Sequence, residues 1–125
     1  MHTVITTSVF ERQAKEAGLS EDEVSEMIVF LADNPDAGVI IPGTGGARKV
    51  RFAGSRRGKS GGYRTIHYFA ADDVPIFLLA LVKKGDRADI SQAERSQLAR
   101  TLPKIADAYR ASVRATASAR KRRSP

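Results

Sequence analysis

Seven basic side chains, Arg48, Lys49, Arg51, Arg56, Arg57, Lys59 and Arg64, fall between residues 47 and 64, and no acid stands among them. Charges of one sign gathered over so short a stretch attract a polyanion. Arginine adds a planar fork of donors that suits two oxygens of one phosphate, and it stays protonated. Lysine can accept a proton once neighbouring cations make its charged form costly. Two aromatic residues are interleaved. Tyr63 and Tyr68 could stack a splayed base or donate a proton, although an aromatic residue on a strand more often serves the core. The chemistry these types and spacings allow is the binding of a phosphate backbone, most simply a nucleic acid, through contacts that weaken steeply with salt.

The same stretch contains Gly58-Lys59-Ser60, the end of a nucleotide-binding loop. Such a loop needs a glycine five positions before its second one and a helix directly after it. Ala53 occupies that position, Gly54 comes one residue late, and YRTIHYFA follows, which reads as a strand. Register and context both argue against a triphosphate site. Neither histidine suggests acid-base chemistry: His2 lies at the terminus, and His67 alternates onto the face opposite Arg64, beside Thr65 and Phe69, as a structural side chain would. Asp72-Asp73 reads as a turn, Asp86 and Asp89 as loop residues. No metal or cofactor site is expected.

The chain has 125 residues, enough for one domain with one core, and carries a net charge of +7 from 21 basic and 14 acidic side chains. It contains no cysteine, which excludes disulfides and thiolate metal sites. With no long apolar run, a cytoplasmic protein with no membrane association is expected. The charges are segregated. Residues 8 to 36 hold Glu11, Glu16, Glu21, Asp22, Glu23, Glu26, Asp33 and Asp36 against only Arg12 and Lys15.

The elements that position the basic stretch follow from caps and periodicity. After a short apolar start at Val4 and Ile5, Ser8 and Glu11 have the spacing of a capping box, and Phe10, Ala14 and Ala17 continue a helix that Gly18 stops. Ser20 and Glu23 repeat the box. Val24, Met27, Ile28 and Leu31 give the second helix its apolar stripe, and Asn34-Pro35 ends it. PGTGG, residues 42 to 46, reads as a turn into ARKVRFA, where Val50 and Phe52 alternate with Lys49 and Arg51. With YRTIHYFA this makes a hairpin. VPIFLLALV, residues 74 to 82, is apolar on both faces and reads as a strand covered on both sides. Ser91 and Glu94 open a last helix, with Leu98, Leu102, Ile105, Tyr109 and Val113 on one face and Pro103 inside. The fold class is α+β: a short N-terminal strand, two helices, a three-stranded antiparallel meander and a long C-terminal helix.

GTGGARKVRF, RRGKSGGYRTIHYF and FLLALVKKGDRADISQAE closely resemble the RelE/ParE toxin superfamily, specifically its HigB-like and RelE-like ribosome-dependent messenger-RNA interferases. The resemblance covers roughly residues 4 to 110 and includes the element order. It implies one RelE-like toxin domain over residues 1–117; the residues beyond it, SARKRRSP at 118–125, have no apolar pattern and read as a mobile basic tail. It further implies the toxin of a type II toxin-antitoxin system, an endoribonuclease that cuts messenger RNA in the ribosomal A site and so inhibits translation. The partners implied are a cognate antitoxin, the ribosome and messenger RNA, with no small-molecule cofactor. The matching positions are Arg48 and Lys49, Lys59, Arg64 and Tyr68, and Lys84.

Cleavage of this kind proceeds by attack of the ribose 2′-oxygen on the adjacent phosphate without metal. It needs a proton acceptor, a proton donor and positive charge around phosphorus. Arg64 is the first choice for that charge, with Lys49 and Lys84 as the candidates for proton carrier. Arg48, Arg51, Arg56, Arg57, Lys59, Tyr63, Tyr68 and Lys83 are expected to bind the RNA. Two other readings remain open at this point: a ParE-like gyrase inhibitor without nuclease activity, and a catalytically inactive RNA-binding module.

Overall fold

The computed structural model describes the backbone of residues 1–53, 62–83 and 90–123, and the side chains of these residues up to 120. The chain runs through strand β1 (Val4–Thr6), helices α1 (Ser8–Glu16) and α2 (Glu21–Asp33), and strands β2 (Val39–Ile40), β3 (Arg48–Phe52), β4 (Tyr63–Tyr68) and β5 (Ile76–Lys83). It then enters helix α3 (Gln92–Arg123). The α+β order expected from the sequence is the order found.

Two of the three capping boxes form as read. Ser20 Oγ accepts from Glu23 N at 3.1 Å while Glu23 Oε1 accepts from Ser20 N at 3.1 Å, and Ser91 and Glu94 exchange the same pair at 3.2 and 2.9 Å. In α1 the cap lies one residue earlier, at Thr7. The sheet decides this. Thr7 N donates to Leu78 O at 3.1 Å and Thr7 Oγ1 donates to Leu79 O at 2.9 Å, and the same hydroxyl accepts from Phe10 N at 3.1 Å. Glu11 takes the Thr6 hydroxyl instead, at 2.8 Å.

The sheet has five strands in the order β1-β5-β4-β3-β2, two more than the expected meander. β1 runs parallel to β5, with Val4 opposite Ile76, whereas β2, β3, β4 and β5 pair antiparallel in succession. β2 escapes a reading by alternation because it has two residues, both exposed. Gly38 leads into it at φ 79°, and a Cβ there would collide with the Lys49 carbonyl oxygen. Only glycine fits that approach.

A bulge between β4 and β5 explains the doubly apolar strand. Ile66 faces Ala80 while His67 faces Leu78, so Leu79 is extra. Leu78 and Leu81 consequently reach the same layer, under α1 and α2, with Phe10, Ala14, Met27, Leu31 and Val50. The other face carries Ile66, Tyr68, Val74 and Phe77 against Ile90, Leu102 and Ala106 of the last segment. Each fully buried large side chain, such as Phe10 or Leu102, contributes about 1.5–3 kcal/mol.

α3 covers only one end of its face. Thr44, wholly buried, donates to Ile41 O at 2.7 Å and accepts from Ala47 N at 3.0 Å, which fixes the 42–46 turn against the helix. The Cβ position of Gly45 in that turn lies 3.6 Å from Ala99 Cα. Further along, Arg110 reaches Asp73 in the β4–β5 turn at 2.7 and 3.0 Å. The helix thus passes beneath the Tyr68–Phe77 end of the strands. It includes residues 118–123, where alanine, arginine and lysine favour helix without an apolar face.

Candidate nucleic-acid interface

The register of β3 and β4 decides which of the basic residues meet. Lys49 stands opposite Ile66, which stands opposite Ala80; Arg51 stands opposite Arg64, which stands opposite Val82. Ile66, Ala80 and Val82 belong to the layer that packs on α3. Lys49, Arg51 and Arg64 therefore project from the same face as that layer, at the end α3 leaves open. Arg51 and Arg64 are exposed and Lys49 is half-buried. None of the five strands contains an acid. With neighbouring strands about 4.8 Å apart, the two guanidiniums present adjacent forks to an anion lying across the sheet.

Other expected residues fall elsewhere. Arg48 faces the opposite side, beside His67, and its Nη1 donates to Asp36 O at 3.0 Å. Tyr63 is also on that side, half-buried between Phe52 and Lys83 and packed on the layer beneath α1 and α2. Lys83 is exposed at the end of β5. Tyr68 shares the face of Arg64 but lies under α3, only 9% exposed, and fills the core. Arg56, Arg57, Lys59 and Lys84 lie outside the described residues.

His67 is fully buried, and its Nε2 donates to Pro35 O at 2.8 Å. Burial pushes its pKa below 6.5, the Pro35 bond opposes that, and the Arg48 charge adds to the lowering. The neutral ring serves as a brace. Together Arg48 and His67 hold the successive carbonyls of Pro35 and Asp36, pinning the turn between α2 and β2. Sequence reasoning did not pair these two residues, although strand alternation puts both on the side away from Lys49, Arg51 and Arg64.

Among the described residues no group of three or more His, Asp or Glu side chains gathers in metal-binding geometry, and no helix is long and apolar enough to cross a membrane. Residues 2–121 match the family model described as the RelE toxin of the RelE / RelB toxin-antitoxin system. The chain belongs to the RelE toxin family. The match takes in all five strands, so the open cationic face lies within the RelE domain, as does most of α3. Membership in the RelE family agrees with a role in a toxin-antitoxin system.

Proposed function

We propose that the protein is a toxin that cleaves messenger RNA in the ribosomal A site and is neutralised by a cognate antitoxin. The observation that carries this reading is the convergence of Lys49, Arg51 and Arg64 on one face of a RelE-family sheet whose strands contain no acid. In the proposed reaction the ribose 2′-oxygen attacks the adjacent phosphorus, its proton passes to a base, the bond to the 5′-oxygen breaks, and that oxygen takes up a proton. The products are a 2′,3′-cyclic phosphate and a 5′-hydroxyl. Arg64 stabilises the charge that builds on the phosphate oxygens, Arg51 holds the neighbouring backbone, and Lys49 carries a proton. The ribosome supplies the in-line geometry, which lets so sparse a set of groups suffice.

The test is to mix the purified protein with ribosomes paused on a defined messenger RNA and to map the new 5′ ends, beside an Arg64→Ala control and a ribosome-free control. Cuts within the A-site codon that need both the ribosome and Arg64 support the reading. Arg64→Ala should slow cleavage by about 10²–10³-fold, the usual effect of removing one preorganised donor from a developing charge. A folded protein that arrests growth yet makes no cut would overturn it.

A further inference from the structure

A second surface of one sign lies at the far end of α3. The helix has 32 residues and is about 48 Å long. Its packing ends early. Leu98, Leu102, Ile105, Ala106 and Tyr109 join the core, Arg110 is tied to Asp73 by two hydrogen bonds, and every residue from 111 to 120 is exposed. From Ala111 to Arg123 the helix therefore extends about 20 Å past Arg110. The sequence of that arm, ASVRATASARKRR, contains five bases, Arg114, Arg120, Lys121, Arg122 and Arg123, and no acid.

We infer that this arm docks on the phosphate backbone of duplex RNA. The plainest alternative is that the bases complement the helix dipole, but that effect fades beyond the last turn and does not account for Arg114. A surface kept only for solubility would mix signs. A membrane helix needs a broad face of bulky apolar residues, and a helix seated in a protein groove needs large anchors at intervals of three and four. The arm has only Val113 of that kind, 49% exposed, among alanines, serines and a threonine. Small side chains make it slender, so its charges can come close to a polyanion. Held at Arg110 and helical beyond, it is a rod with a fixed direction.

The arm and the cationic sheet face are separate surfaces of one molecule, since α3 runs beneath the opposite end of the sheet from Arg51 and Arg64. A structured RNA bound by the arm would raise the local concentration of a single strand at the sheet. The inference rests on the proposed ribosomal function for its biological setting. Its test does not, because the readout is binding to naked RNA.

The experiment uses the full chain and a labelled RNA duplex of about 16 base pairs, with affinity read by fluorescence anisotropy between roughly 50 and 200 mM salt. One variant combines Arg114→Gln, Arg120→Gln, Lys121→Gln, Arg122→Gln and Arg123→Gln; a second replaces the four arginines by lysine. Glutamine and lysine both support helix, and circular dichroism confirms it. The glutamine variant is expected to lose at least about tenfold in duplex affinity and about three to five units of the log–log salt slope, while the lysine variant keeps both. Unchanged affinity and slope in the glutamine variant would overturn the inference. So would a glutamine variant that binds duplex like the parent yet no longer holds its antitoxin, which would make the arm a protein-binding surface.

Discussion

Arg51 and Arg64 stand directly opposite each other across β3 and β4, both exposed on the same face of the sheet. Like charges in facing positions destabilise a sheet by about 0.2–1 kcal/mol, and a phosphate between them removes the conflict. Arg51→Glu should therefore raise stability by up to about 1 kcal/mol in urea denaturation at low salt, while RNA cleavage is lost. A loss of stability would mean that repulsion across this pair is not significant.

Arg48 is only one residue from Lys49 yet belongs to a different structure. Replacing it with glutamine removes the guanidinium bond to the Asp36 carbonyl and should cost about 0.5–1.5 kcal/mol. The rate of A-site cleavage should stay within about twofold of the parent under conditions where both proteins are folded. If Arg48→Gln instead lowers cleavage as Arg64→Ala does, the division of the hairpin's cations between two faces does not describe their roles.

The buried imidazole makes stability depend on pH. His67 has its pKa lowered on folding from 6.5, first by burial, so the unfolded chain binds the extra proton more readily. Stability is complete above about 6.5 and falls as pH drops from there towards the folded value, below which this group adds no further slope. Protonation would also place a hydrogen on Nδ1, which has no partner among the described residues. Urea midpoints measured between pH 5 and 8 should decline on the acid side in the parent. Subtracting the curve for His67→Gln, which keeps a donor for Pro35, should isolate this slope.

Gly38 tests the same turn through its backbone. An alanine there must hold a positive φ and move the Lys49 carbonyl, so Gly38→Ala should cost about 2–4 kcal/mol, seen as a lower thermal midpoint. The displaced carbonyl belongs to a proposed proton carrier. Cleavage measured well below the new midpoint should fall too, whereas Gly18→Ala, with open space around its Cβ position, should cost less.

Local signals were readable where the physics is local. Ser20-Glu23 and Ser91-Glu94 announce their helices because capping needs only residues three apart, and alternation alone separates Lys49 and Arg51 from Val50 and Phe52. What could not be read depends on distant partners. The pairing of Val4 with Ile76 joins segments more than seventy residues apart, and Thr7 displaces Ser8 as a cap only because Leu78 and Leu79 hold it. Tyr68 shares the face of Arg64 in any alternation count, yet α3 decides that one is core and the other is exposed.

The partnership of β1 with β5 also governs the order in which this protein can be made. Val4, Ile5 and Thr6 are synthesised some seventy residues before their neighbours Ile76, Phe77 and Leu78, and the Leu102 and Ala106 layer comes later still. A nascent chain stopped anywhere before β5 lacks the strand that joins β1 to β4 and the α3 layer that packs on the sheet. On the proposed function, a molecule that halts translation cannot become active until its own β5 and the packed turns of α3 have been translated.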